Sequence, residues 1–323
     1  MYKELLSSLI FGQLQSYGSI AAFPLSIPLK PGPFDYLTLS EALSMLLIRI
    51  EEVSESGSVP ELKVISQADA PVLILAGEEL KGARQNRILN TSILIPVKSE
   101  LIIPVSCTES GRWSYNSPYF RESGNISSRD IRLSASESVS FSLDSGRGHR
   151  SDQGKVWDKI EELHSRSRSD SKSHTRAMDD AYQARKADLD EARRHFNLIP
   201  GQAGILFFHS GKVAGLDILS KPGAYARLHD KLVGSYTIDV LDGSSPSWNK
   251  TALHHTARKF LDNASEAVLT PYKSPGMGFD HRVQGKHLQG SMLVYNEESI
   301  HTCLFSHEPE DPPVVRYYRR REL

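Results

Sequence analysis

The apolar residues of this chain come in short runs. Between positions 61 and 107 they read "ELKVIS" (61–66), "PVLILA" (71–76), "TSILIPV" (91–97) and "ELIIPVSC" (100–107), each closed by proline, glycine or a polar cluster. Runs this short, bounded by turn-formers, fit strands and exclude long buried helices. "KSE" between the last two is short enough for a hairpin turn. The prolines in "LIPV" and "IIPV" point to strand edges or bulges. Further along, "AGILFFHSGKVAGLDIL" (203–219) predicts a hairpin turning at Ser210–Gly211, and "GSMLVYNE" (290–297) and "SIHTCLFS" (299–306) predict two more strands.

Helical spacing appears between these runs. In "YLTLSEALSMLLIRIEEV" (36–53), Leu43, Leu46, Leu47 and Ile50 share a face and Thr38 or Ser40 can cap it, which predicts a helix. Two more are predicted over 222–241 and 248–265. Strands and helices in this order predict an α+β fold, with mixed or antiparallel sheets, packed helices and a helical, Ser-rich insertion. The insertion begins near residue 124, where serine becomes abundant and apolar residues thin out. Within it, Val156, Trp157, Ile160 and Leu163 mark a short helix. "SRSRSDSKSH" (165–174) reads as a mobile loop, and 175–197 reads as a charged, solvent-facing helix. The chain thus divides into an N-terminal α+β lobe (1–123), the insertion (124–197) and a C-terminal α+β lobe (198–323), together one composite domain.

A net charge of −1 over 323 residues gives no electrostatic footprint for nucleic acid or membrane. "RYYRRREL" at the C-terminus is a basic cluster that reads as a solvated tail. No secretory signal pattern and no apolar stretch of membrane-spanning length is seen, so a cytoplasmic protein is expected. Cys107 and Cys303, the only two cysteines, read as small buried thiols.

The stretch that carries most chemistry is "GEELKGARQNRILN" (77–90). A connection between two strands needs only turn residues, yet this one holds Glu78, Glu79, Lys81, Arg84, Gln85, Asn86 and Arg87. Amides read ligand edges, arginine forks hold carboxylate or phosphate, and an adjacent acid can move protons. The alternative is an ion-paired loop fixing two strands. A second cluster, "CTESGRWSY" (107–115), brings Glu109, Arg112 and Trp113 to the end of the last strand. There a guanidinium suits phosphate and an indole suits a base; the alternative is a structural ion pair beside a core tryptophan. Because both clusters flank neighbouring strands, they are expected to converge. Glu79 and Glu109 are the candidate catalytic acids or bases. Glu78, Arg84, Gln85, Asn86, Arg87, Arg112, Trp113 and Asp217, which ends a hairpin strand, are candidate ligand contacts. The histidines at 281, 287, 301 and 307 match no standard zinc spacing, so no metal is expected, and no cofactor is indicated. No dinucleotide or phosphate-loop motif and no nucleophile elbow is present.

The run "GEELKGARQNRILNTSILIPVKSELIIPVSCTESGRW" resembles the ARG and rhodanese-phosphatase-superfamily-associated domain family, where ARG stands for ADP-ribosylglycohydrolase. "GKVAGLDILSKPGAYARLHDKLVGSYTIDVL" and "VQGKHLQGSMLVYNEESIHTCLFSH" are also similar to it, so the likeness covers most of residues 36–307. The resemblance implies a nucleotide-binding protein of NAD- or ADP-ribose-linked metabolism, with a nucleotide-like small molecule as partner. It carries no established activity. Hydrolysis or group transfer stands beside a non-enzymatic sensor or scaffold for a partner enzyme.

Overall fold

The computed structural model describes residues 1–28, 34–54, 60–109, 117–167, 176–241 and 248–307. A short helix α1 (Tyr2–Ser7) opens the chain, followed by β1 (Ile10–Phe11), β2 (Gln15–Tyr17) and β3 (Ile20–Ser26). Then come β4 (Leu37–Thr38), α2 (Leu39–Ser44) and β5 (Ile48–Glu52). The helix expected over 36–53 is therefore only six residues long, and its second half is a strand. Thr38 does cap it, in a reciprocal capping box with Glu41. The helix stops because Leu46 takes a left-handed φ of 57°. "IRIEE" then alternates buried and less buried positions as a strand does, with Ile48, Ile50 and Glu52 turned inward.

The middle of the chain supplies β6 (Glu61–Ser66), β7 (Val72–Ile74), β8 (Glu78–Gly82), β9 (Arg87–Leu89), β10 (Ile93–Ile95), β11 (Glu100–Cys107) and β12 (Phe120–Ile126). These form a six-stranded sheet in the order β12-β8-β9-β11-β6-β5 and a three-stranded sheet β10-β7-β4. The expected hairpin at "KSE" is corrected, although the chain does turn at 97–98. β10 pairs with β7, whereas β11 pairs with β6 and β9, so the two runs flanking "KSE" lie in different sheets. β11 is also a central strand despite Pro104. Pro104 ends the pairing with β6, and pairing with β9 begins at Val105, so the missing N–H falls where the ladder passes between neighbours.

The serine-rich region folds as α3 (Arg129–Asp144) and α4 (Gln153–Ser167). Of the stretch expected to be mobile, 165–167 close α4 and the rest lies outside the described residues. The charged segment forms two helices, α5 (Met178–Ala184) and α6 (Lys186–His195), which break at Arg185. One face of the pair is buried through Met178, Ala181, Tyr182 and Leu189. The segment is therefore amphipathic, with a core-facing side as well as a solvent-facing one.

The C-terminal part runs β13 (Gly204–His209), β14 (Lys212–Leu219), α7 (Pro222–Thr237), α8 (Lys250–Ser265), β15 (Val268–Lys273), β16 (Phe279–Gly285), β17 (Leu288–Tyr295) and β18 (Glu298–Ser306). The hairpin turns at Ser210–Gly211 as expected, both with positive φ, the geometry that matches strand twist. With β1–β3 these strands build a nine-stranded sheet. Both its faces are covered. Leu206 and Phe208 pack with α1 and α8 on one side, while Phe207 packs with Tyr225, Leu232 and Tyr236 of α7 on the other. That is why "ILFF" is continuously apolar. The architecture is α+β, antiparallel except for the parallel β4–β7 pair. No helix among the described residues is long and apolar enough to cross a membrane.

Candidate functional site

The polar stretch is itself a hairpin. β8 and β9 pair antiparallel, and β9 continues onto the end of β11 with Arg87 opposite Cys107. This register brings 77–90 against 107–109, so the two clusters meet through their described residues. Glu109 is the junction. Its carboxylate accepts the Asn86 amide N–H at 2.8 Å, and its carbonyl accepts Gln85 Nε2 at 3.1 Å. Gln85 Oε1 in turn accepts Arg87 Nη1 at 3.2 Å. Arg87 is completely buried, and its Nη2 lies 3.9 Å from Glu52, which also accepts the Arg84 amide at 3.3 Å. Arg112 and Trp113 lie outside the described residues.

Glu78 and Glu79 are successive strand residues and so face opposite ways. Glu78 meets Lys231 of α7 at 3.0 Å and accepts the Leu75 amide; Lys231 also holds Glu122 at 2.6 Å. This triad ties α7 to the hairpin. Glu79 faces α5. Its Oε1 accepts Thr108 Oγ1 at 3.0 Å, and Ser123 also hydrogen-bonds the carboxyl. Close by, Asp179 is clamped by Lys81 at 2.5 Å and by Asn125 Nδ2 at 3.1 Å. Burial, reinforced by the Asp179 charge, pushes the Glu79 carboxyl up to about 8. It is therefore a neutral acid at pH 7 with a proton to give.

Asp217 belongs to a different centre, under α3. Arg132 forks onto both its oxygens, at 2.5 and 3.0 Å. His301 Nε2 lies 3.0 Å from Oδ1 and Tyr236 OH donates to Oδ2 at 2.8 Å. Ser92 Oγ stands 2.8 Å from His301 Nδ1 and accepts the Ala76 amide. Burial pushes the Asp217 carboxyl up, but the Arg132 charge and the bonds from His301 and Arg132 outweigh it and hold it at about 2. The carboxylate is thus ionised, so Nε2 of His301 carries its proton. Asp217, His301 and Cys303 do bring ligand-type atoms within 4.8 Å of one another. The Asp217 oxygens, however, already accept four donors, and a cation would have to displace Arg132. The centre is a hydrogen-bond network that locks α3 to the large sheet. Gly77 allows the close approach. With φ +84°, a Cβ there would fall 2.6 Å from Ser127 Oγ and 2.9 Å from Arg132 Cγ.

Sequence reasoning did not single out Glu52, Thr108, Asp179 or Arg132 as partners. Asp179 sits in a segment whose charge pattern reads as solvated, and Arg132 is one arginine in a serine-rich stretch. The sequence offers His301 only as a metal-ligand type, and the structure makes it a hydrogen-bond partner of Asp217. Both cysteines are buried and free, as expected.

The model of the ARG and Rhodanese-Phosphatase-superfamily-associated Protein domain matches residues 8–305. No curated protein and no solved structure matches the chain.

Proposed function

We propose that this chain, which belongs to the ARG and Rhodanese-Phosphatase-superfamily-associated Protein domain family, binds a nucleotide-like ligand of NAD- or ADP-ribose-linked metabolism at the β8–β9 hairpin. The supporting observation is Glu79, a fully buried acid held neutral near pH 7, beside Thr108 and Asp179 on the face of the hairpin opposite Arg87. A carboxylic acid that keeps its proton at pH 7 suits protonation of a leaving group, so hydrolysis or transfer of a nucleotide-derived group is the reaction class. Glu79 is the acid of this reading. Arg84, Arg112 and Trp113 are its contacts to phosphate and base. Glu109, Gln85, Asn86 and Arg87 hold the hairpin in place.

One observation favours a second reading. Gln85, Asn86 and Glu109 are engaged with one another, as a non-enzymatic sensor or a scaffold for a partner enzyme would require. Incubating the purified chain with NAD and with ADP-ribose separates the two. Product formation that Glu79→Gln abolishes while calorimetric binding persists supports the enzyme. Binding without product supports the sensor. Absence of both overturns the nucleotide reading.

A further inference from the structure

A small buried cavity lies where β9, the residue after β12, the first turn of α3 and the large sheet meet, with about 10 Å³ of room for the centre of a water molecule. A single water needs about that much. Ile88, Leu89, Ala135 and Phe305 give the cavity apolar walls, and Ser127, Arg132 and Arg282 are among its polar ones. The two guanidiniums do not make it an anion site. Asp217 neutralises Arg132, and Asp280 lies 3.3 Å from Arg282.

The polar groups on its wall are unequal. Arg282 has all three nitrogens engaged, Nε with Ser140, Nη1 with Asp280 and Nη2 with Ser136. Arg132 commits Nη1 and Nη2 to Asp217, but its buried Nε has no protein partner among the described residues. Ser127 is in the same position. Its amide donates to the Gly77 carbonyl at 2.8 Å and its carbonyl accepts Ser235 Oγ at 2.6 Å, yet its buried Oγ has no protein partner among the described residues. Both side chains pack on Gly77, where a Cβ would fall 2.6 Å from Ser127 Oγ and 2.9 Å from Arg132 Cγ. The hydroxyl and the arginine stem therefore meet over the glycine, at the wall of one cavity.

Buried donors and acceptors are hydrogen-bonded, to ordered water where no protein group serves. Water suits this pair. It accepts the Nε–H, it can either accept from a hydroxyl or donate to one, and it is neutral, as balanced surroundings require. The room excludes anything much larger. We propose that the cavity is a site for one ordered water, which accepts from Arg132 Nε and hydrogen-bonds Ser127 Oγ. That water completes the donor set of the guanidinium that neutralises Asp217, and it links α3 to the strand end that pairs with Gly77.

The test has two parts. The first is a high-resolution crystal structure of the full chain grown in sodium bromide. The expected result is one water peak within hydrogen-bond distance of both Ser127 Oγ and Arg132 Nε, with no anomalous bromide signal there. The second is denaturant unfolding of Ser127→Ala, a change that keeps both backbone bonds of Ser127. A hydroxyl held by water contributes a hydrogen bond, so its loss should lower the folding constant by about fivefold. In a dry cavity the hydroxyl would be a buried group without a partner, and alanine would raise the folding constant instead. A cavity without density, bromide in place of water, or a folding constant that is unchanged or raised in Ser127→Ala would each overturn the assignment.

Discussion

Glu79 and Asp217 are both enclosed acids, and their surroundings move them in opposite directions. Glu79 has its folded value near 8 against an ordinary 4.5. Between those two values the unfolded chain has released a proton that the folded chain keeps, so stability falls as pH rises through that window and is level above it. Glu79→Gln, which can still accept the Thr108 bond, should remove that slope. The variant should melt higher than the unaltered chain above pH 8; parallel melting curves from pH 5 to 9 would contradict this. Asp217 has the opposite sign. Its folded value near 2 lies below an ordinary 3.8, so its contribution is present above 3.8 and is lost as pH falls through about 2. Asp217→Asn leaves the Arg132 charge buried without a counterion and should cost about 3–5 kcal/mol, read by denaturant unfolding at pH 7. The residue types at Glu79 and Asp217 made both candidates in the sequence. Their states were not legible, because they depend on Asp179 and Arg132, each about 85–100 positions away in the chain.

At the scale of elements, short apolar runs were the legible signal. β6 and β11 have the bounds their runs suggested, and the β13–β14 hairpin turns where Ser210–Gly211 indicated. The stretch 36–53 misled because Leu43, Leu46, Leu47 and Ile50 have helical spacing, while "IRIEE" also alternates. Pairing of β5 with β6 decided the contest. The serine-rich helix α3 shows why composition was a weak guide there. Its serines are small buried donors and acceptors facing the large sheet. Ser140 Oγ accepts both Arg282 Nε at 3.0 Å and Gln289 Nε2 at 2.8 Å. Ser138, one turn-face away, bonds its own helix at the Ser134 carbonyl. Ser140→Ala should therefore cost about 1–3 kcal/mol, since two buried donors lose their acceptor. Ser138→Ala should stay within about 0.5 kcal/mol. Equal costs in thermal melts would show that α3 does not read its serines by face.

In the whole molecule, the first strands and the last ones share a sheet: β3 pairs with β13, which neighbours β14 and, beyond it, β18. No local pattern announces such pairing, since the partners are some 180 residues apart. Removing residues 1–26 should uncover the β13 edge and leave a chain that aggregates, as exposed edges do; a soluble, cooperatively melting truncation would contradict that arrangement. The same long-range closure places the β8–β9 hairpin between α5, α7 and β11, and it is there that the functional reading rests. The most direct test is a carbon-13 carboxyl NMR titration of Glu79, with and without saturating ADP-ribose. The account predicts a midpoint near pH 8 in the free protein that moves when ADP-ribose is added. A midpoint among ordinary carboxylates, or one that ADP-ribose leaves unmoved, would contradict it.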